Sequence, residues 1–175
     1  MIEYKALYVH IPKTGGSSIC KAPWILKHGS YDKDPELPME SIPSLKLSFA
    51  FVRDPFARFV SGVLNHGYAT PESFTRFVLG RFSKEYQQRF AEWSWPELQP
   101  QYRYLYHGGE LAIDFVGRFE KLRQGWDSVC SMVGERFELP HLNKGKYQDH
   151  TSFYTPKTRQ AVTEAYREDF SLLGY

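Results

Sequence analysis

Only two cysteines occur in the 175 residues, Cys20 and Cys130. They lie far apart, match no metal-ligand spacing and fall in stretches that read as helical. They are therefore expected as thiols, not as a disulfide framework or a zinc site. Charge of one sign is equally scarce: 22 Lys and Arg stand against 20 Asp and Glu, a formal net charge of +2, and no long basic run appears. That balance argues against general nucleic-acid binding and leaves enough cations for one anionic ligand. There is no internal repeat and no apolar run long enough to span a membrane. A first strand is expected by residue 6 with no signal peptide visible before it. The chain is therefore expected to be either a trimmed catalytic domain or a cytoplasmic protein, the Met1 start favouring the second. The length suits a single domain over residues 1–175, burying roughly 70% of its unfolded surface.

One further absence is a phosphate-binding pattern of the form Gly, four residues, Gly-Lys-Ser/Thr. A different phosphate signal is present in Tyr8-Val-His-Ile-Pro-Lys-Thr-Gly-Gly-Ser-Ser18. Ala6, Leu7, Val9 and Ile11 suit a buried strand, and Gly15 and Gly16 permit a tight turn. Ser17 and Ser18 then open a helix whose first N–H groups favour an anion, with Lys13 adding a full positive charge. Lys13 precedes the glycines, so the cation meets the anion from the strand side. No Ser or Thr follows a Gly-Lys pair to hold magnesium, which points away from ATP hydrolysis.

A second strand-to-helix transition accompanies the first. Leu47 to Val52 reads as a buried strand, followed at once by Arg53-Asp-Pro-Phe-Ala-Arg-Phe-Val-Ser61. Asp54 suits a helix N-cap better than a metal ligand, and Pro55 suits the first helical position. Phe56, Phe59, Val60, Val63 and Leu64 recur at helical spacing and are assigned to the core, whereas Arg58 is assigned to a solvated face. Each transition offers a cation, a hydroxyl and N–H groups at a helix start. Two such sites on neighbouring strands suit a ligand with two separate anionic ends.

These residues resemble the carbohydrate sulfotransferases, the group that includes heparan sulfate 2-O-sulfotransferase. His10 to Ser18 is similar to their 5′-phosphosulfate loop, and Phe51 to Ser61 to their 3′-phosphate site. Asp114-Phe-Val-Gly-Arg-Phe-Glu-Lys-Leu122, Leu139-Pro-His-Leu-Asn-Lys144 and the closing Gly174-Tyr175 follow in the order that group shows. The resemblance implies sulfuryl transfer from 3′-phosphoadenosine-5′-phosphosulfate (PAPS) to an acceptor hydroxyl of a carbohydrate, with no metal. It implies that Lys13, Thr14, Gly15, Gly16, Ser17 and Ser18 hold the 5′-phosphosulfate and that Arg53 and Ser61 hold the 3′-phosphate. It also places a catalytic base between the two motifs. His28 is the only histidine in that interval, about three turns on if a helix runs from Ser17, with Glu36 and Glu40 as fallbacks. His66 is a weaker candidate, His10 is read as structural, and Lys144 and Lys146 are candidates for a loop over the nucleotide.

The rest of the chain is read more coarsely. Helices are expected over Pro71–Phe82 and Lys84–Trp93, and a third strand over Ile113–Gly117. A long helix follows with Leu122, Trp126, Val129, Cys130, Val133 and Phe137 on its apolar stripe. One closing helix carries Val162, Tyr166 and Asp169 on a single face, Asp169 being the exception there. The run Trp93, Trp95, Tyr102, Tyr104 and Tyr106 suits either sugar stacking or core filling, with Gln99, Gln101 and Arg103 available for hydroxyl or anionic groups. Strands alternating with helices predict an α/β fold with a central, mainly parallel sheet flanked by helices. The resemblance implies a three-layer, P-loop-like version of it. A nucleotide phosphotransferase and a non-catalytic nucleotide-binding module are the competing functions.

Overall fold

The computed structural model describes residues 6–21, 25–28, 47–83, 95–140 and 149–175. They gather into two units, one drawn from Met1–Arg53 and Arg103–Lys144, the other from Asp54–Tyr102 and Gly145–Tyr175. The expected helix over residues 84–93, Trp93, Glu36, Glu40, Lys144 and Lys146 lie outside the described residues.

In the first unit, near-continuous apolar runs make the strands, and the two central ones are buried along almost their whole length, as parallel sheets require. Strands β1 (Ala6–Val9), β2 (Ile25–His28), β3 (Ser48–Val52) and β6 (Phe115–Arg118) form one sheet in the order β2-β1-β3-β6, and every pairing is parallel. A small antiparallel pair, β4 (Tyr106–His107) and β5 (Glu110–Leu111), stands apart from it. Ser48 and Asp114 fix the register of β3 against β6 at their amino ends. The Asp114 carboxylate accepts from Ser48 N–H and Oγ–H, each at 2.7 Å, and the Asp114 N–H reaches Ser48 Oγ at 3.1 Å. That leaves the carboxyl ends to other work.

Helix α1 (Gly16–Ile19) follows β1, and α4 (Leu122–Val133) follows β6. Tyr8, Ile19, Phe49, Phe51, Trp126 and Val129 form the core of this unit. Trp126 Nε1–H donates to Phe137 O at 2.8 Å, so Phe137 joins that core from beyond the helix, not from its stripe. Helix α1 is far shorter than expected: the residues once assigned to its later turns include strand β2. The reason is pairing: Ile25 to His28 run parallel to Ala6 to Val9 as the neighbouring strand, which a continued helix would preclude.

The second unit is helical. Helix α2 (Pro55–Leu64) is capped by Asp54, whose Oδ1 accepts from Ala57 N–H at 2.7 Å, with Pro55 at the first position as expected. Helix α3 (Pro71–Arg81) and α5 (Pro156–Ala165) both open on capping boxes, Thr70 with Ser73 and Thr155 with Thr158. The closing helix breaks at Tyr166 into α5 and α6 (Arg167–Leu173). Phe56, Phe59, Phe74, Leu98, Val162 and Tyr166 supply much of the core, with Phe59 meeting Phe74 and Tyr166 edge-on.

Two expectations are corrected here, for Arg58 and for the glutamines, while Asp169 keeps its place on the buried face. Arg58 is not on a solvated face: it is 1% exposed and donates to Gln99 O at 2.8 Å. Gln99 and Gln101 are buried as well, not available to a ligand. Asp169 is wholly buried, where its carboxylate accepts from the N–H groups of Gln101 and Tyr102, each at 2.9 Å. Burial pushes its carboxyl pKa up, while those amides and the Arg58 charge pull it down. Among the described residues no helix is long and apolar enough to cross a membrane.

Candidate active site

The order β2-β1-β3-β6 carries a topological switch point. From β1 the chain moves to one side for β2 and to the other for β3, so the connections after β1 and β3 diverge at the carboxyl edge. Open parallel sheets bind ligands in the crevice so created.

The connection after β1 is a tight loop held from within. Thr14 is completely buried and its Oγ1 donates to Ile11 O at 2.8 Å, so the hydroxyl proton is committed to the loop itself. Lys13 adopts φ 71° and Gly15 φ 96°, and Lys13 is the one non-glycine residue in the left-handed region among those described. Such a conformation costs an L-residue on the order of 1–3 kcal/mol and clusters at functional sites. Gly15 caps α1 without a side chain, and its carbonyl accepts from the Ser18 N–H at 3.0 Å, which closes the first turn of that short helix. Gly16 lies against His10: a Cβ there would stand 2.0 Å from the imidazole Nε2. Ser17 is exposed, Ser18 buried and Lys13 half-buried. Beneath the loop Tyr8 is fully buried, and desolvation first, then Cys20, pushes its hydroxyl pKa up, so it adds no negative charge.

Arg53, directly after β3, reaches back across the switch point. Its Nη1–H donates to Lys13 O at 3.2 Å, and its Cζ stands 4.4 Å from the centroid of Phe119, just beyond β6. Phe119 and Leu122 also bound the loop, since a Cβ on Gly15 would come within 3.3 Å of Phe119 Cδ2 and 2.9 Å of Leu122 Cδ2. The carboxyl ends of β1, β3 and β6 are thus tied together by a twisted loop, a guanidinium and an aromatic ring. With a half-buried lysine beside them, the arrangement is cationic and rich in N–H donors, and an anion is the ligand it suits.

The remaining candidates fall as follows. His28 ends β2 and pairs in register with Val9, so it sits on a strand and not at a helix end, one strand from the loop after β1. Ser61 lies on α2 in the second unit, partly exposed. His66, just past α2, stacks on Trp95 with centroids 3.7 Å apart and has Glu97 Oε2 3.7 Å from its Nε2. Trp95 also stacks on Phe77, and Tyr104 is buried, so core filling accounts for those two rings of the aromatic run. One residue went unassigned a role in the sequence, Phe119 beneath Arg53, while His10, read as structural, lies against Gly16. An aromatic residue directly after a strand, at the edge where the loops diverge, was the available signal for Phe119.

A family model described as Sulfotransferase family matches the chain over residues 2–175. No curated protein and no solved structure matches it.

Proposed function

Since the chain belongs to the sulfotransferase family, we propose that it transfers a sulfuryl group from PAPS to a hydroxyl of a carbohydrate, within one P-loop-like, three-layer domain. The family match spans residues contributing to both units, which supports treating 1–175 as one functional domain. The observation that carries the donor assignment is the junction of Arg53 with the Lys13 loop at the switch point. The chemistry of those groups fits a nucleotide with two phosphate positions: N–H groups and Lys13 for one, a guanidinium for the other.

When bound, PAPS supplies the activated sulfuryl group. In this reading Thr14, Gly15, Gly16, Ser17 and Ser18 line the 5′-phosphosulfate, with the Thr14 hydroxyl shaping the loop through Ile11 O. Lys13 stabilises negative charge growing on the oxygen between sulfur and phosphorus, charge that exists mainly in the transition state. Arg53 holds the 3′-phosphate, and Ser61 is assigned to it by the resemblance of its motif alone. His28 takes the acceptor proton, supported by its backbone position at the carboxyl end of β2 beside β1. The carbohydrate acceptor rests on the resemblance of the two motifs to the carbohydrate sulfotransferases.

The test is calorimetric binding of 3′,5′-adenosine bisphosphate against ADP without metal, in wild type and Arg53→Ala, followed by turnover with PAPS. Preference for the bisphosphate, lost in Arg53→Ala, is expected; equal binding of the two ligands overturns the 3′-phosphate assignment. Lys13→Ala should lower turnover by about two to three decades. His28→Ala should abolish turnover with bisphosphate binding intact, and unchanged turnover removes it as the base.

A further inference from the structure

We infer that Phe119 is a positioning residue that sets selectivity for 3′-phosphorylated nucleotides, by holding the Arg53 guanidinium over its ring while its edge supports Gly15 of the Lys13 loop. This rests on the donor assignment above.

The residues concerned belong to one unit and one sheet edge. Arg53 has a long, rotamer-rich side chain, and holding it in one orientation without a ligand has an entropic cost. Two contacts offset that cost. One is the bond from Nη1–H to Lys13 O at 3.2 Å; the other is the ring of Phe119, with its centroid 4.4 Å from Cζ. A guanidinium at that distance lies within the range of attraction to the negative face of an aromatic ring. The planar fork is thereby fixed on one side, which sets the direction of its donors before an anion arrives. The ring's edge serves the other arm. A Cβ on Gly15 would stand 3.3 Å from Phe119 Cδ2 and 3.4 Å from Cε2, so the ring closes against the left-handed turn of the loop. One side chain therefore sets the spacing between the guanidinium and the loop. The distance between the two anionic ends of a bisphosphate nucleotide is a quantity such a spacer can select.

A leucine at 119 keeps apolar contact with Gly15 and Leu122 but removes the ring's face. A tyrosine keeps the face. Replacement by 3,4,5-trifluorophenylalanine keeps the shape and withdraws the face's negative charge, so it separates the ring's electrostatics from any packing change that leucine brings. The experiment measures calorimetric affinities for 3′,5′-adenosine bisphosphate and for 5′-AMP, which lacks the 3′-phosphate. In Phe119→Leu and in the fluorinated protein, bisphosphate affinity should fall by about two- to thirty-fold, the range of a ring–cation contact. Affinity for 5′-AMP should hold. Phe119→Tyr should keep the wild-type preference, and Phe119→Leu added to Arg53→Ala should change nothing further. A wild-type preference in the leucine and fluorinated proteins overturns the inference alone, as does an equal loss for both nucleotides. Absence of any preference in the wild type overturns the donor assignment and this inference with it.

Discussion

Gly16 has no room for a methyl group. A Cβ there would meet Nε2 of His10 at 2.0 Å, so Gly16→Ala must displace the imidazole. Overpacking of this kind costs about 1–3 kcal/mol, which for a chain of this length lowers Tm by about 2–12 °C. Thermal unfolding should show that loss, and Gly16→Ala with His10→Ala should recover part of it; strictly additive losses would mean that the ring and the glycine do not interact. His10 was read as structural from its place in the strand, and the contact gives that reading a partner. Arg58 was misread because helical spacing reports only a face, not what covers it. Its neighbours in the fold, Gln99 and the carboxylate of Asp169, come from distant stretches of chain, and no local pattern pairs them. The same blindness made Asp169 look like an exception. Arg58→Met should therefore be severe, about 3–5 kcal/mol, because it leaves a carboxylate buried without its counter-charge. Chemical denaturation would show this, and a change below about 0.5 kcal/mol would mean that the Arg58 charge does not support the buried Asp169.

Elements were legible where their signals are local. Asp54 and Pro55 announced the start of α2, and Thr70 and Pro71 that of α3, because caps act within a few residues of themselves. Strand β3 and the existence of α4 followed from apolar pattern alone. Lengths were less legible. Helix α1 ends after four residues because the following segment pairs with β1, a partner that helical spacing does not reveal. The break at Tyr166 has no glycine or proline to mark it; the Tyr166 hydroxyl donates to Leu98 O, and Asp169 serves Gln101 and Tyr102. The direction of the chain there answers to both anchors. The cap on α2 is a quantitative case. Asp54→Ala should destabilise by about 1 kcal/mol through the lost bond to Ala57 N–H. Asp54→Asn keeps a cap but not the charge facing His150 Nε2, 3.6 Å away. In urea unfolding the asparagine variant should fall between wild type and alanine, and equal losses in the two variants would assign the effect to the charge.

For the molecule as a whole, the α/β class and the two strand-to-helix transitions were legible, since each transition lies within about ten consecutive residues. What joins them was not: the Arg53–Lys13 bond and the Phe119 contact depend on strand order, which the sequence does not state. If the site binds as proposed, 3′,5′-adenosine bisphosphate at a hundred times its Kd adds about 2.7 kcal/mol, a rise in Tm of about 5–11 °C. Scanning calorimetry with the bisphosphate and with 5′-AMP at equal concentration should separate the two, and identical shifts would count against the 3′-phosphate contact. Neither unit is contiguous in the chain, and this bears on how the protein is made. The core that β1 and β3 share with Trp126 and Val129 cannot close until α4 has been synthesised. At about 5–20 residues per second, the interval from Arg53 to Trp126 on the ribosome is on the order of 4–15 s. For that time Phe49 and Phe51 lack their covering helix, and the nascent chain carries an open apolar sheet that a chaperone would recognise.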